Sequence, residues 1–164
     1  MVATDRYIAY MNTPTISPIS PVATIPKVYR VMKHDPVDNL PVVGTTELGV
    51  RPGIDITVDV AGNVECDGNG MSVVPGWRLL GFTRIPKRLR DFVPGAKGKN
   101  STSCYTMGVG PFQSGDIASG LELIPDQGPS PITHGVIAPV KVVSLAQYQS
   151  DLENTRAAWQ IDET

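Results

Sequence analysis

The sequence predicts an α+β fold: a single compact domain with a mainly antiparallel β core and a C-terminal helix. The chain has 164 residues, which suits one domain with a buried core. Its 16 glycines and 15 prolines favour short strands joined by turns over a helical bundle. Several strand-like segments precede one segment with a clear helical period, and no internal repeat or second domain is evident.

The N-terminal part is predicted to be an extended arm over residues 1–26, rich in Pro, Ser and Thr, ahead of a folded domain over residues 27–164. Four prolines between residues 11 and 26 exclude a helix there. The segment KVYRVMK (27–33) follows and is typical of a strand. Its side chains alternate between two faces, with Arg30 on the same face as two apolar residues.

The middle of the chain predicts short strands and turns. Residues 54–66 are typical of a hairpin, with alternating Val and Asp and a turn at AGN. Residues 86–93 predict one or two helical turns with Pro86 at the first position, where its missing N–H is not needed. Further strand-like segments are MSVVP at 71–75 and the runs at 104–109, 120–125 and 134–143.

The closing helix is predicted over residues 144–159. Ser144 and Gln147 match a capping box at its start. Apolar residues recur near a period of 3.6 and predict one buried face, made of Leu145, Tyr148, Leu152 and Trp159.

Net charge, hydropathy and cysteine content disfavour several classes of function. The formal net charge of -2 does not favour nucleic-acid or membrane binding, and no apolar run approaches the ~18 residues of a membrane span. The first residues, MVATDRYIAYMN, do not predict a Sec signal peptide, so we expect a cytoplasmic location in a producing or target cell. Two distant cysteines, Cys66 and Cys104, favour a reducing compartment and match no metal-ligand pattern, so no metal site is expected.

Three residues are candidates for chemistry, and each has a plain structural interpretation beside the functional one. Arg30 either lies at a sheet edge with its guanidinium in solvent or points inward to bind an anion such as phosphate. Ser72 follows glycines that either form a turn or admit a ligand close to the backbone. His134 precedes Gly135 at the head of a strand, where a histidine is either structural or functional.

A basic segment, RIPKRLRDFVPGAKGK (84–99), contains six of the 14 basic residues. It is either a solvated loop or a rim that binds phosphates or an acidic partner. Without aromatic alternation, single-stranded nucleic acid is the less favoured partner. The chain contains no GxSxG, P-loop, CxxC or HExxH motif.

A family resemblance joins these candidates. Three landmarks occur in order, VYRVMK, GNGMSVVP and THGVIAP, and a helix with a Tyr and a late Trp follows them. In this order the chain resembles the small toxin family of a cytotoxic effector of bacterial type VI secretion, which has an ADP-ribosyltransferase-like fold with a split β core. The matching positions are Tyr29, Arg30, Gly70, Met71, Ser72, Val73, Thr133 and His134.

The resemblance implies NAD as a substrate and an intracellular macromolecule as the target, with a cognate immunity or antitoxin protein as a further partner. It implies catalytic positions at Arg30, Ser72 and His134. Contacts to NAD are implied for Tyr29, Arg30, Gly70, Met71, Ser72 and Thr133. Met71 stands where the family has Thr, and His134 stands where many such transferases have Glu. Glu122 is the acid to test as a replacement for that missing Glu.

Two other functions fit the same residues. One is an NAD-using enzyme similar to RNA 2′-phosphotransferases, in which Arg and His clusters carry the reaction. The other is a non-enzymatic, β-rich module that binds a protein through the arm and the basic segment.

Overall fold

Nine strands and one α-helix are formed by residues 23–164, the part of the chain that the computed structural model describes. The strands are β1 (Val28–Lys33), β2 (Asn63–Val64), β3 (Met71–Val73), β4 (Thr102–Met107), β5 (Gly115–Ala118), β6 (Leu121–Pro125), β7 (Gly135–Pro139), β8 (Val143–Ser144) and β9 (Gln160–Ile161). The helix α1 (Leu145–Asn154) lies between β8 and β9. The predicted α+β class, the mostly antiparallel strands and the C-terminal helix are confirmed.

The strands form three antiparallel sheets. One has the order β1-β4-β9, one pairs β2 with β8, and the largest has the order β3-β7-β6-β5. The first and third sheets meet at an antiparallel bridge between Tyr29 of β1 and Val74, just after β3. Both backbone hydrogen bonds of this bridge are made, at 2.8 and 3.0 Å. The β core therefore consists of two sheets joined at the β1–β3 junction.

The core is divided into two apolar clusters that β1 separates. Val28 and Met32 face the large core cluster, which also contains Tyr148, Leu152 and Trp159. Tyr29 faces the small core cluster, which includes Trp77 and is built mainly from the 74–96 segment. The alternation predicted for residues 28–32 thus places apolar side chains of β1 in both core clusters, one on each face of the strand.

The C-terminal helix begins where the sequence predicts but ends earlier. Ser144 caps it by accepting a hydrogen bond from the Gln147 N–H at 3.1 Å. The predicted end at residue 159 is wrong, because α1 ends at Asn154 and a 3-10 turn follows over Arg156–Ala158. At this point backbone bonds change from i−4 to i−3 spacing, and the Thr155 hydroxyl donates to the Leu152 carbonyl at 2.7 Å. Trp159 is nevertheless buried, as predicted.

Other segments differ in detail from the predictions. The turn expected near AGN is present, with Gly62 at φ +83° and a bridge between Val58 and Val64. Pro86 caps a 3-10 turn over Lys87–Leu89. The short strands β5 and β9 were not predicted. Residues 1–22 of the predicted arm lie outside the described residues. Between residues 23 and 164, no helix has both the length and the apolar character needed to cross a membrane.

Candidate functional site

A cleft opens beside the β1–β3 junction and has two adjoining lobes. Arg30, Val31, Ser72 and Arg84 line both lobes. The polar lobe has a volume of about 360 Å³, and its other lining residues are Thr46, Glu47, Arg51, Asp55, Thr83, Lys99 and Thr102. The apolar lobe has a volume of about 340 Å³, and its other lining residues are Val73, Val74, Leu79, Leu80, Gly81, Thr133 and His134.

Arg30 points inward and is 6% exposed. Its guanidinium donates to three backbone carbonyls, those of Glu47 at 2.9 Å, Ser72 at 2.8 Å and Thr46 at 3.5 Å. Burial, followed by repulsion from Arg84, lowers the pKa of Arg30 to about 10, so it stays cationic near neutral pH. Arg30 therefore points inward and does not extend into solvent at a sheet edge, and the hydrogen bonds of its guanidinium go to backbone carbonyls. These three hydrogen bonds also hold β3 and the 46–47 loop against β1, and they use three of the five N–H donors of the guanidinium.

Ser72 lies in the middle of β3, opposite Val136 of β7, and is partly buried. Its carbonyl accepts the Arg30 bond, while the residue itself lines both lobes. The serine is thus at the boundary between the polar and the apolar half of the cleft.

His134 lies at the rim of the apolar lobe, next to Thr133 and directly before β7. Its side chain is 41% exposed, and its Nδ1 atom is 2.8 Å from the Oδ2 atom of Asp126. The backbone N–H of Asp126 donates to the His134 carbonyl at 3.0 Å, which fixes the two residues opposite each other just beyond the β6–β7 ladder. The cleft therefore brings together Arg30, Ser72, Thr133 and His134.

The structure places the other candidates away from this cleft. The Tyr29 hydroxyl donates to Asp162 at 2.7 Å, and its ring belongs to the small core cluster. Gly70 packs against β7, where a Cβ atom would overlap the Ile137 carbonyl, and Met71 is 1% exposed in the large core cluster. Glu122 lies in β6, opposite Asp116 and Ala138. None of these four residues lines either lobe.

The basic segment contributes two cations to the cleft, Arg84 and Lys99. Neither takes part in an ion pair among residues 23–164. In contrast, Arg88 donates to both carboxylate oxygens of Glu163 at 2.7 Å, and Arg90 donates to the Ala96 carbonyl at 2.9 Å. The segment is thus divided between cations that support the fold and cations that are available to a ligand.

Two carboxylates of the polar lobe, Glu47 and Asp55, are functional candidates that the sequence alone does not identify. Asp55 forms a two-bond pair with Arg51, and the hydrogen bonds from Arg51 lower the pKa of this carboxyl despite its partial burial. Glu47 accepts from the Lys33 backbone N–H. No motif pointed to these residues, because the loop that carries them reaches the cleft only through the fold.

The polar lobe has an excess of positive charge. Four cationic side chains, including Arg84 and Lys99, line it together with two carboxylates, of which Asp55 is neutralised by Arg51. The other lobe has five Val and Leu residues among its eleven lining residues, which also include Arg30 and Arg84. The cleft therefore suits a ligand with an anionic part next to a flat or apolar part. Within residues 23–164, no cluster of three or more His, Cys, Asp or Glu is arranged to hold a metal ion.

Comparisons with known proteins do not add a family or a fold relative. No family model, curated protein or solved structure matches the chain.

Proposed function

We propose that this protein is a toxin-like, NAD-dependent ADP-ribosyltransferase that modifies an intracellular macromolecule. The observation that carries this proposal is the convergence of Arg30, Ser72, Thr133 and His134 on one cleft, although they come from distant parts of the sequence. The same residues carry the resemblance to the toxin family. The joined antiparallel sheets support the ADP-ribosyltransferase type of fold that the resemblance implies.

The size and polarity of the cleft support NAD as the ligand. Each lobe, at about 360 and 340 Å³, is within the range of about 300–1,000 Å³ typical of small-molecule sites. The cationic lobe would hold the pyrophosphate, and the apolar lobe would hold the nicotinamide ring. The two lobes thus offer separate surfaces for the pyrophosphate and for the nicotinamide ring.

The phosphate contacts are shared between Arg30 and two further cations of the cleft, Arg84 and Lys99. Because Arg30 already bonds three carbonyls, it contributes its remaining N–H groups and a fixed positive charge. Arg84 and Lys99, which have no acidic partner in the described part of the chain, supply the flexible phosphate contacts. Ser72, at the boundary of the lobes, donates to or accepts from a hydroxyl of the nicotinamide ribose.

The reaction breaks the bond between C1′ of that ribose and the nicotinamide nitrogen, and the bonding electrons leave with nicotinamide. A nucleophile of the target then forms a bond to C1′ and loses its proton. The developing positive charge on the sugar is stabilised by fixed polar groups. Glu47, a carboxylate that lines the cleft and forms no ion pair within residues 23–164, replaces Glu122 as the acid for this role.

The proposal is tested by measuring nicotinamide release from NAD by the full chain and by variants of the cleft. We expect Ser72→Ala, His134→Ala and Glu47→Gln each to lower the rate by about 10²–10³, as for the loss of one transition-state hydrogen bond. Glu122→Gln is the matched control and should behave like the wild type, since Glu122 does not line the cleft. Wild-type protein that neither binds NAD nor releases nicotinamide would overturn the proposal.

A charge-reversal pair tests the phosphate contacts separately. Arg84→Glu and Lys99→Glu should weaken NAD binding, and the difference from the wild type should shrink as salt is raised. Lys87→Glu is the control, because Lys87 belongs to the same basic segment but does not line the cleft. Equal weakening by all three variants in a titration would show that only the overall charge matters.

Three exposed apolar side chains support a second candidate function, the non-enzymatic protein-binding module. Leu79, Phe82 and Phe92 are 51–55% exposed and lie in the same part of the chain as the basic segment. If expression arrests growth of a host cell equally in the wild type and in His134→Ala, and NAD does not bind, this second function is favoured.

A further inference from the structure

His134 and Asp126 form a side-chain hydrogen bond that has no role in the proposed reaction as described above. The Nδ1 atom of His134 lies 2.8 Å from a carboxylate oxygen of Asp126. An ionised carboxylate only accepts hydrogen bonds, so the ring must carry a proton on Nδ1. In the neutral imidazole, the Nε2 atom is then left with a lone pair and acts as an acceptor.

Only the histidine of this pair lines the cleft. His134 lines the apolar lobe together with Ser72 and Thr133, whereas Asp126 lines neither lobe. Asp126 therefore contacts the ring without contacting the space that a ligand would fill. The backbone bond from Asp126 to His134 at 3.0 Å holds both residues at the same level of the β6–β7 hairpin.

We propose that Asp126 is a positioning residue that holds His134 in the Nδ1-protonated form, so that Nε2 accepts the proton of the attacking group. This inference rests on the proposed function. The attacking group is then a neutral hydroxyl or amine of the target, which must lose a proton as its bond to C1′ forms. The proton passes to Nε2, the nicotinamide leaves with the bonding electrons, and the imidazolium that forms is stabilised by the Asp126 carboxylate.

A purely structural role for the His134–Asp126 pair would give a different result. Both side chains are substantially exposed, at 41% and 56%, and exposed ion pairs contribute little to stability. If the pair only closes the hairpin, the tautomer of His134 does not depend on Asp126, and removing the carboxylate leaves the chemistry unchanged.

The test reads the tautomer directly by ¹⁵N NMR of the imidazole nitrogens in the full chain, at about pH 8, above the ordinary pKa of histidine. The chain has two histidines, so His34 is an internal reference. We expect His134 to carry its proton on Nδ1 in the wild type and to lose this preference in Asp126→Ala. Asp116→Asn, which changes an exposed carboxylate on β5, should leave the His134 signals unchanged.

A second measurement links the tautomer to the reaction. With NAD and a nucleophilic acceptor, Asp126→Ala should lower kcat at least about 10-fold with little change in KM for NAD, because an interaction made in the transition state is lost. Asp126→Glu should recover part of the rate.

The outcomes separate the two proposals. A His134 tautomer that is the same with and without Asp126 overturns the inference, whatever the enzyme activity. A changed tautomer with unchanged kcat also overturns the positioning role. A changed tautomer in a protein that releases no nicotinamide supports the orientation by Asp126 and overturns the proposed function instead.

Discussion

Arg30 carries a buried positive charge whose partners are backbone carbonyls of two other segments. Replacement by Ala removes three hydrogen bonds and leaves the freed carbonyls without their donor. A buried unsatisfied acceptor costs about 1–3 kcal/mol, so we expect Arg30→Ala to lower the free energy of unfolding by at least about 2 kcal/mol. Urea unfolding measures this, with Ser72→Ala as a neighbouring control whose stability should change little.

Arg30→Lys makes the prediction sharper. Lysine keeps the charge but loses the planar fork that reaches several carbonyls at once, so part of the stability should return. If Arg30→Ala is as stable as the wild type, the guanidinium is not what holds β3 and the 46–47 loop to β1. Activity measured on Arg30 variants must therefore be compared at equal folded fraction.

Asp162 predicts a pH dependence of stability. The hydrogen bond from the Tyr29 hydroxyl at 2.7 Å is the main cause that lowers the pKa of Asp162 to about 2. Because the folded value is below the unfolded value of about 3.9, the carboxylate stabilises the fold above pH ~4 and this contribution is lost as the pH falls towards 2. Asp162→Asn should therefore be less stable than the wild type at pH 7, with the difference vanishing near pH 2, as measured by thermal unfolding.

The sequence predicts the face of β1 on which Arg30 lies but not its hydrogen-bond partners. The alternation in VYRVMK correctly placed Arg30 on the same face as Val28 and Met32. It could not show that the charge would be satisfied by the carbonyls of Thr46, Glu47 and Ser72, since those contacts join residues 16 to 42 positions apart.

At the scale of elements, the approach of β3 to β7 depends on Gly70. A Cβ atom there would overlap the Ile137 carbonyl and contact the Tyr148 hydroxyl. That hydroxyl donates to Ile137 at 2.6 Å and accepts from the Met71 N–H at 3.2 Å, so it joins α1 to both strands. We expect Gly70→Ala to cost about 1–3 kcal/mol by forcing the backbone apart.

Gly76→Ala is the matched control for this change. Gly76 has an extended backbone, and an added Cβ atom would meet nothing within 4 Å. Its unfolding midpoint in urea should stay close to that of the wild type. A Gly70→Ala variant with the same midpoint would mean that β3 moves without cost, and that the glycine serves the cleft instead.

Trp159 lies beyond α1, yet it anchors the large core cluster. It is 1% exposed, and its Nε1 atom donates to the Thr155 hydroxyl at 2.9 Å. Trp159→Ala should lower the free energy of unfolding by about 3–5 kcal/mol, because a large buried ring leaves a cavity. Calorimetry or chemical denaturation measures the loss, and a change well below 1 kcal/mol would contradict the assigned packing.

Elements with a strong local signal were predictable, and elements defined by their partners were not. The Ser144 cap and the apolar period identified α1. β9 has only two residues and exists because Gln160 and Ile161 pair with β4, so local sequence carries almost no sign of it. The apolar period predicts too late an end for the helix, because Trp159 keeps the period while the backbone changes to a 3-10 turn.

At the scale of the molecule, the cleft is a product of topology. The order of three landmarks in the sequence suggested that Arg30, Ser72 and His134 meet, and they line one lobe. The basic segment 84–99 contains Arg84 and Lys99, but its sequence does not show which of its six cations line the cleft. Glu47 and Asp126 belong to no sequence motif, and their positions follow only from the completed fold.

The division of the core by β1 gives each half its own optical reporter. The chain has two tryptophans, with Trp77 in the small core cluster and Trp159 in the large one. In Trp77→Phe the intrinsic fluorescence follows only the large cluster, and in Trp159→Phe it follows only the small one. Because both clusters share β1, each variant should show the same denaturation midpoint by fluorescence as by far-UV circular dichroism. A fluorescence midpoint for Trp159→Phe that precedes its dichroism midpoint would show that the half of the molecule carrying Arg84 and Lys99 opens before the rest.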